Sequence, residues 1–193
     1  MEDKTVNQKI INGLERLSKA FRVLLWEESK LYKISPIQIQ LLIFCSSHKK
    51  EDLKVSFLAT EFDLTKATIS DSIKVLLKKE LLTKTTNVKD TRSFTVQLTE
   101  KGNEIVEKTS GFTDVLNESI NSFSHLEKGV FLEKLMELIY QLNQKDVISI
   151  QRMCLTCYHY KKDGNNHYCN LIEKELKNTE LRIDCNEHQV LDT

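Results

Sequence analysis

The sequence predicts a mainly α-helical protein with one small β-hairpin and a separate cysteine-rich lobe at its end, on three observations. Chain breakers are scarce: one proline and five glycines in 193 residues. That favours long helices over a many-turned β architecture. Apolar residues recur at helical spacing over most of the first 145 positions and switch to period two only between about residues 82 and 98. Four of the five cysteines fall in the stretch from Cys154 to Cys185. The length suits one full core, or one domain with a small appendage. The expected division is residues 1–147 and 148–193.

From Val6 to Tyr32, the residues Ile10, Leu14, Leu17, Phe21, Leu24 and Leu25 mark one long amphipathic helix. Ser35-Pro36 is a start signal, serine as N-cap and proline at the first helical position, for a short and mostly buried helix through IQIQLLIFCSS. Cys45 within that apolar run reads as a core residue. Lys49–Asp52 is a polar connector. A helix over Val55–Phe62, a turn at Asp63-Leu64 and a helix capped by Thr65 follow. The second of these turns Ile69, Ile73, Leu76 and Leu77 inward, so the pair is a helix-turn-helix. Leu82–Thr86 is strand-like, NVKDTRS is a charged turn, and Phe94, Val96 and Leu98 alternate with polar residues. A hairpin in that place makes a winged helix. Thr99 caps a helix expected to run unbroken through Ile105, Phe112, Val115 and Ile120, and another follows Ser124.

With the wing sequence KDTRSFTVQLTEKG, this order of elements resembles the MarR family of bacterial transcription regulators over roughly residues 5–145. The resemblance implies a homodimer with interlocked first and last helices, and a wing in which Arg92 enters the minor groove while Asp90 holds it. The charges agree independently. The whole chain has 28 basic and 28 acidic side chains and is neutral, so the case rests on local charge. Between Thr65 and Lys101 there are eight basic and four acidic residues, a local excess of +4, and a focused positive patch is what phosphate neutralisation needs. Thr65, Lys66, Thr68, Ser70 and Lys74 on the second helix offer short donors and acceptors to base edges and phosphates, and Lys89 joins Asp90 and Arg92 at the wing. Ile10, Leu14, Leu17 and Phe21, together with Phe131, Leu135, Leu138, Ile139 and Leu142, form more apolar stripe than one small winged helix covers. Either intrachain packing or dimerisation accounts for it.

The cysteines read Cys154-x2-Cys157-x11-Cys169-x15-Cys185. The first two can reach one ion from a tight turn, and two further sulfurs complete a tetrahedron. Zinc suits four sulfurs. An iron–sulfur cluster is the alternative, with Tyr158, Tyr160 and Tyr168 near enough in sequence to shield it. His159, His167 and His188 are expected at the surface or as donors behind the ligands. The tail is absent from the common MarR pattern, so it is either a structural staple or a sensor.

The N-terminus MEDKTVNQK has no apolar segment of the secretory kind, and the longest apolar run, Leu41–Cys45, is too short to cross a bilayer. The expectation is a cytoplasmic protein with no membrane partner, where clustered cysteines bind metal or respond to redox state rather than form disulfides. There is no Gly-rich phosphate loop, no HExxH and no nucleophile–base pair, so no enzyme is expected. The leading reading is a dimeric DNA-binding regulator, a repressor, that responds to metal, redox state or a small-molecule effector. The alternatives are a metal-thiolate redox protein and a protein-interaction module.

Overall fold

The computed structural model describes residues 2–86, 94–149, 152–164 and 166–190. It is mainly helical with small antiparallel sheets. The chain divides into two compact units, residues 1–54 with 70–117, and residues 55–69 with 118–193.

In the first unit, α1 (Glu2–Tyr32) ends where Lys33 takes a positive φ of 55°. Ser35 then starts α2 (Pro36–Ser47) with a full capping box: its Oγ accepts from Gln38 N at 3.4 Å, and Gln38 Oε1 accepts from Ser35 N at 2.9 Å. α2 is apolar on nearly all sides. It packs against α1, β2 and α5, and Ile39, Leu41 and Leu42 are fully buried. Cys45 is buried among them, and burial pushes its thiol up to about 12, so it is an inert core residue.

β1 (Leu82–Thr86) and β2 (Phe94–Leu98) pair antiparallel, from Leu82 opposite Leu98 to Thr86 opposite Phe94. Val96 N also donates to Leu53 O at 3.0 Å, which fastens the hairpin to the connector before the helix-turn-helix. Of the alternating set, only Val96 is fully buried; Phe94 and Leu98 lie at the ends of a five-residue strand and keep partial solvent contact. Thr99 caps α5 (Glu100–Thr109), accepting from Gly102 N at 2.9 Å and donating to Glu80 O at 2.7 Å. Gly102 is required here, because a Cβ would stand 2.1 Å from Leu81 O.

The unbroken helix expected from Thr99 to Ile120 is not formed. α5 stops at Thr109, a 3-10 turn covers Ser110–Thr113, and α6 (Asp114–Asn121) follows. Thr109 Oγ1 donates to Ile105 O at 2.8 Å and Ser110 Oγ to Glu107 O at 3.4 Å. These back-bonds compete for the carbonyls the helix would use, and Gly111 adds a poor helix former.

In the second unit, α3 (Val55–Glu61) leads into a turn closed by Leu64 N donating to Ala59 O at 3.0 Å, with Asp63 at φ 49°. α4 (Lys66–Lys78) is one continuous helix that begins in this unit and ends in the other. α7 (His125–Gln144) starts at a capping box of Ser124 and Glu127. The cysteine-rich segment packs on α7: Met136, Met153 and Leu181 form a buried cluster flanked by Leu132, Ile139, Tyr160 and Leu176. Its sheet has β4 (Asn166–Cys169) between β3 (Tyr160–Asp163) and β5 (Lys174–Leu176), all antiparallel.

Candidate nucleic-acid interface and cysteine cavity

The first turn of α4 is held by its cap. Thr65 Oγ1 accepts from Thr68 N at 3.1 Å and lies 2.9 Å from Thr68 Oγ1. Both hydroxyls face solvent beside the exposed Lys66. Ile69, Ile73 and Leu76 form a stripe buried to within 1% of full, and Leu77 is half-buried. That orientation leaves Lys66, Thr68 and Lys74 exposed, with Ser70 half-buried. Lys74 is ion-paired with Asp71 at 2.9 Å, but both side chains are more than two-thirds exposed. Such a pair is weak and can yield to a phosphate.

On the hairpin, the exposed Lys84 places its Nζ 5.8 Å from the Phe94 ring centroid. Lys101 donates to Lys79 O at 3.0 Å, next to Glu80. Lys89, Asp90 and Arg92, expected at the wing tip, lie outside the described residues.

All four tail cysteines line one cavity of about 340 Å³, with His159, Leu171, Ile172, Leu176 and Arg182 in its wall. Cys154 opens a 3-10 turn and Cys157 closes it, its N–H donating to Cys154 O at 3.0 Å. The segment after Leu181 runs alongside: Cys154 N donates to Arg182 O at 2.9 Å and Cys185 N to Arg152 O at 2.8 Å. Cys169 ends β4, opposite Tyr160 and Lys174. Two donors reach sulfur, Arg182 N to Cys154 Sγ at 3.2 Å and Arg182 Nη1 to Cys185 Sγ at 3.6 Å. Burial pushes the Cys154 thiol up, the Arg182 backbone bond opposes this, and the other three thiols add to the rise. Among the described residues, no three His, Cys, Asp or Glu side chains converge closely enough to hold a single metal ion.

His167 is 1% exposed, so of the two places expected for it, the surface or behind the ligands, the surface is excluded. Its Nδ1 lies 2.6 Å from Tyr160 Oη. Burial raises the Tyr160 hydroxyl to about 12, and its own burial holds the His167 imidazole down. His167 Nε2 lies 3.9 Å from Glu133 Oε1 of α7 and has no hydrogen-bond partner among the described residues. His188 is tied to Thr156, and His159 Nε2 is buried without a hydrogen-bond partner among the described residues.

Sequence reasoning did not single out the strap that joins the lobe to the helix-turn-helix. Ser149 N donates to Asp63 Oδ1 at 2.7 Å and Ser149 Oγ to Thr60 O at 2.7 Å. The Arg152 guanidinium lies 5.6 Å from the Phe57 ring centroid, donates to Cys185 O at 2.9 Å and Asn186 Oδ1 at 3.0 Å, and faces Asp184 at 3.6 Å. No local pattern marks residues whose role depends on neighbours this distant in the chain.

A helix-turn-helix followed by a two-stranded hairpin and flanked by long helices is a winged-helix fold. Residues 25–109 match the family described as "Transcriptional regulator SarA/Rot". The chain is 27% identical over 111 residues to the uncharacterized HTH-type transcriptional regulator YhbI of Bacillus subtilis (strain 168), spanning 55% of this chain and 72% of YhbI. Among solved structures, the MarR protein from Peptoclostridium difficile DA00132 is similar with a TM-score of 0.61 at 20% identity, over 70% of this chain and 88% of that one. MepR of S. aureus in its DNA complex gives 0.60 at 20% identity, over 67% and 95%. FabT of Streptococcus pneumoniae in complex with DNA gives 0.59 at 23%, over 72% and 98%. At such identities the solved structures show the fold alone, and the likeness to the SarA/Rot family is confined to residues 25–109, ending before the first tail cysteine.

Proposed function

We propose that the protein is a non-enzymatic, cytoplasmic, homodimeric repressor that binds double-stranded DNA and is modulated through its four-cysteine site. Thr65, Lys66, Thr68, Ser70 and Lys74 address the major groove, and at the wing Arg92 enters the minor groove, held by Asp90, with Lys89 beside them. The observation that carries this reading is α4 itself. Its apolar stripe is buried, and its capped first turn presents Lys66 and two hydroxyls to solvent. MepR and FabT, which share the fold, were captured with DNA. Dimerisation is supported by the apolar residues that one chain leaves in water. Ile10, Leu17 and Phe21 of α1 are each more than 40% exposed, as are Phe131, Leu138 and Leu142 of α7. Among the described residues no helix is long and apolar enough to cross a membrane. A small-molecule effector would act on the same dimer.

A salt-titrated duplex-binding assay tests the reading. Lys66→Ala with Arg92→Ala should weaken binding and flatten the log–log salt slope by between about one and two, since each neutralised phosphate contributes about 0.9. Wild-type protein that binds no duplex, or a double variant with unchanged affinity and slope, would point to a winged helix used for protein contacts instead.

A further inference from the structure

We propose that the tail cavity holds a polynuclear iron–sulfur cluster rather than one zinc ion. A tetrahedral zinc draws four sulfurs to about 2.3 Å from a single point and leaves a closed site. Here Cys154, Cys157, Cys169 and Cys185 surround a common space of about 340 Å³. No three ligand-type side chains among the described residues meet closely enough for one ion. Thiols spread around a space are placed to ligate separate irons at the corners of a cluster. Each binds as thiolate and gives its proton to solvent.

The walls fit the same occupant. Leu171, Ile172 and Leu176 make much of the lining apolar, with Leu171 and Ile172 themselves 47% and 52% exposed. Cluster sulfurs accept hydrogen bonds, and those bonds tune them. Arg182 already donates to Cys154 Sγ and Cys185 Sγ and brings a positive charge against an anionic cluster. His159 lines the cavity with a buried Nε2 that has no partner among the described residues, a donor suited to sulfide. A zinc site sealed by its own four sulfurs would leave that nitrogen and the apolar wall unexplained.

The cavity also has a route outward. Arg152 bonds Cys185 on both its backbone and its side chain and stacks near Phe57 of α3, while Ser149 grips the turn at Thr60 and Asp63. On the regulator reading above, cluster assembly fixes the Cys185 end of this strap, and cluster loss releases it. DNA affinity then follows cluster content.

The test is composition. The full chain is purified without oxygen, and visible absorbance, iron, acid-labile sulfide and zinc are measured per chain for wild type, Cys45→Ser, Cys154→Ser and Cys185→Ser. The expected result is a brown protein with iron and sulfide in near-equal amounts and more than one iron per chain. Cys45→Ser should keep the cluster and both tail variants should lose most of it. A colourless wild type with one zinc per chain overturns the proposal, as does wild type without metal, or iron indifferent to the tail cysteines. Wild-type content decides the matter even if a tail variant misfolds. None of these readouts involves DNA, so a clustered protein that binds no duplex would overturn only the regulator reading.

Discussion

Arg152→Ala is the most informative single change. The Arg152 side chain is only 10% exposed and its guanidinium serves four neighbours: Cys185 O, Asn186 Oδ1, Asp184 and the Phe57 ring. A hydrogen bond from a charged donor contributes about 1.5–3 kcal/mol. A partly exposed cation–π contact adds about 1 kcal/mol. The Asp184 pair adds little, because that carboxylate is 47% exposed. These contributions overlap, so the expected loss is roughly 3 kcal/mol. Arg152→Lys keeps the charge but not the fork, and should still lose about 2 kcal/mol. Urea unfolding measures both. A double-mutant cycle with Phe57→Leu isolates the ring contact, with an expected coupling of about 1 kcal/mol. If Arg152→Ala shifts stability by less than about 0.5 kcal/mol, or the cycle shows no coupling, the strap does not hold the lobe to α3.

Three further outcomes follow from particular contacts. Gly102→Ala should destabilise by roughly 2 kcal/mol despite a helix-propensity gain of about 1 kcal/mol, because its Cβ would meet Leu81 O at 2.1 Å; a thermal melt matching wild type would contradict this packing. Glu61, half-buried in α3, has its carboxyl raised to about 7 by burial, with Arg152 opposing and Asp184 and Asp63 reinforcing. The folded state therefore holds the Glu61 proton more tightly than the unfolded chain, and this contribution to stability is present below about pH 4.5 and lost as pH rises through 7. Glu61→Gln should flatten that decline, so urea midpoints of variant and wild type that stay parallel from pH 5 to 8 would be the wrong outcome. Leu17→Glu with Phe21→Glu, at exposed positions of α1, should yield monomers in analytical sedimentation; an unchanged species would mean that α1 is not the dimer face.

Helix starts were legible because their signals are local. Ser35-Pro36 with Gln38, Thr65 with Thr68 N, and Thr99 with Gly102 N each close a turn within three residues. The capping box of Ser124 and Glu127 is equally short-range. The break after Thr109 was not legible, because Thr109, Ser110 and Gly111 can each sit within a helix and only their combined back-bonding ends it. At the cysteines, the turn of Cys154 and Cys157 follows from spacing alone. That Cys169 and Cys185 line the same cavity depends on β4 and on the backbone hydrogen bonds of residues 182–189 with residues 152–158. His167 illustrates the limit: a histidine among lysines and asparagines reads as surface, and only the pairing of β3 with β4 and the proximity of α7 bury it.

The attachment point of the strap says what kind of control this fold permits. Ser149 holds Asp63, which sits at a positive φ, and the Thr60 carbonyl beside it, and it lines one shallow cavity with Thr65 and Lys66 at the start of α4. A non-glycine residue in that region costs about 1–2 kcal/mol unless its surroundings hold it there. The turn that sets how α3 leads into α4 is therefore the least self-sufficient part of the motif and the part the lobe supports. On the proposed DNA-binding reading, loosening the tail's hold on this turn would act on the start of α4 without removing Lys66, Thr68 or Lys74. Couplings of this kind are typically worth about 1–3 kcal/mol, or about 5–150-fold in affinity. Loss of that support is comparable in size to the strain it offsets. Arg152→Lys, with cluster content intact, should therefore separate DNA affinity from cluster state while leaving the salt slope at its wild-type value. A changed slope would place the effect in the phosphate contacts instead.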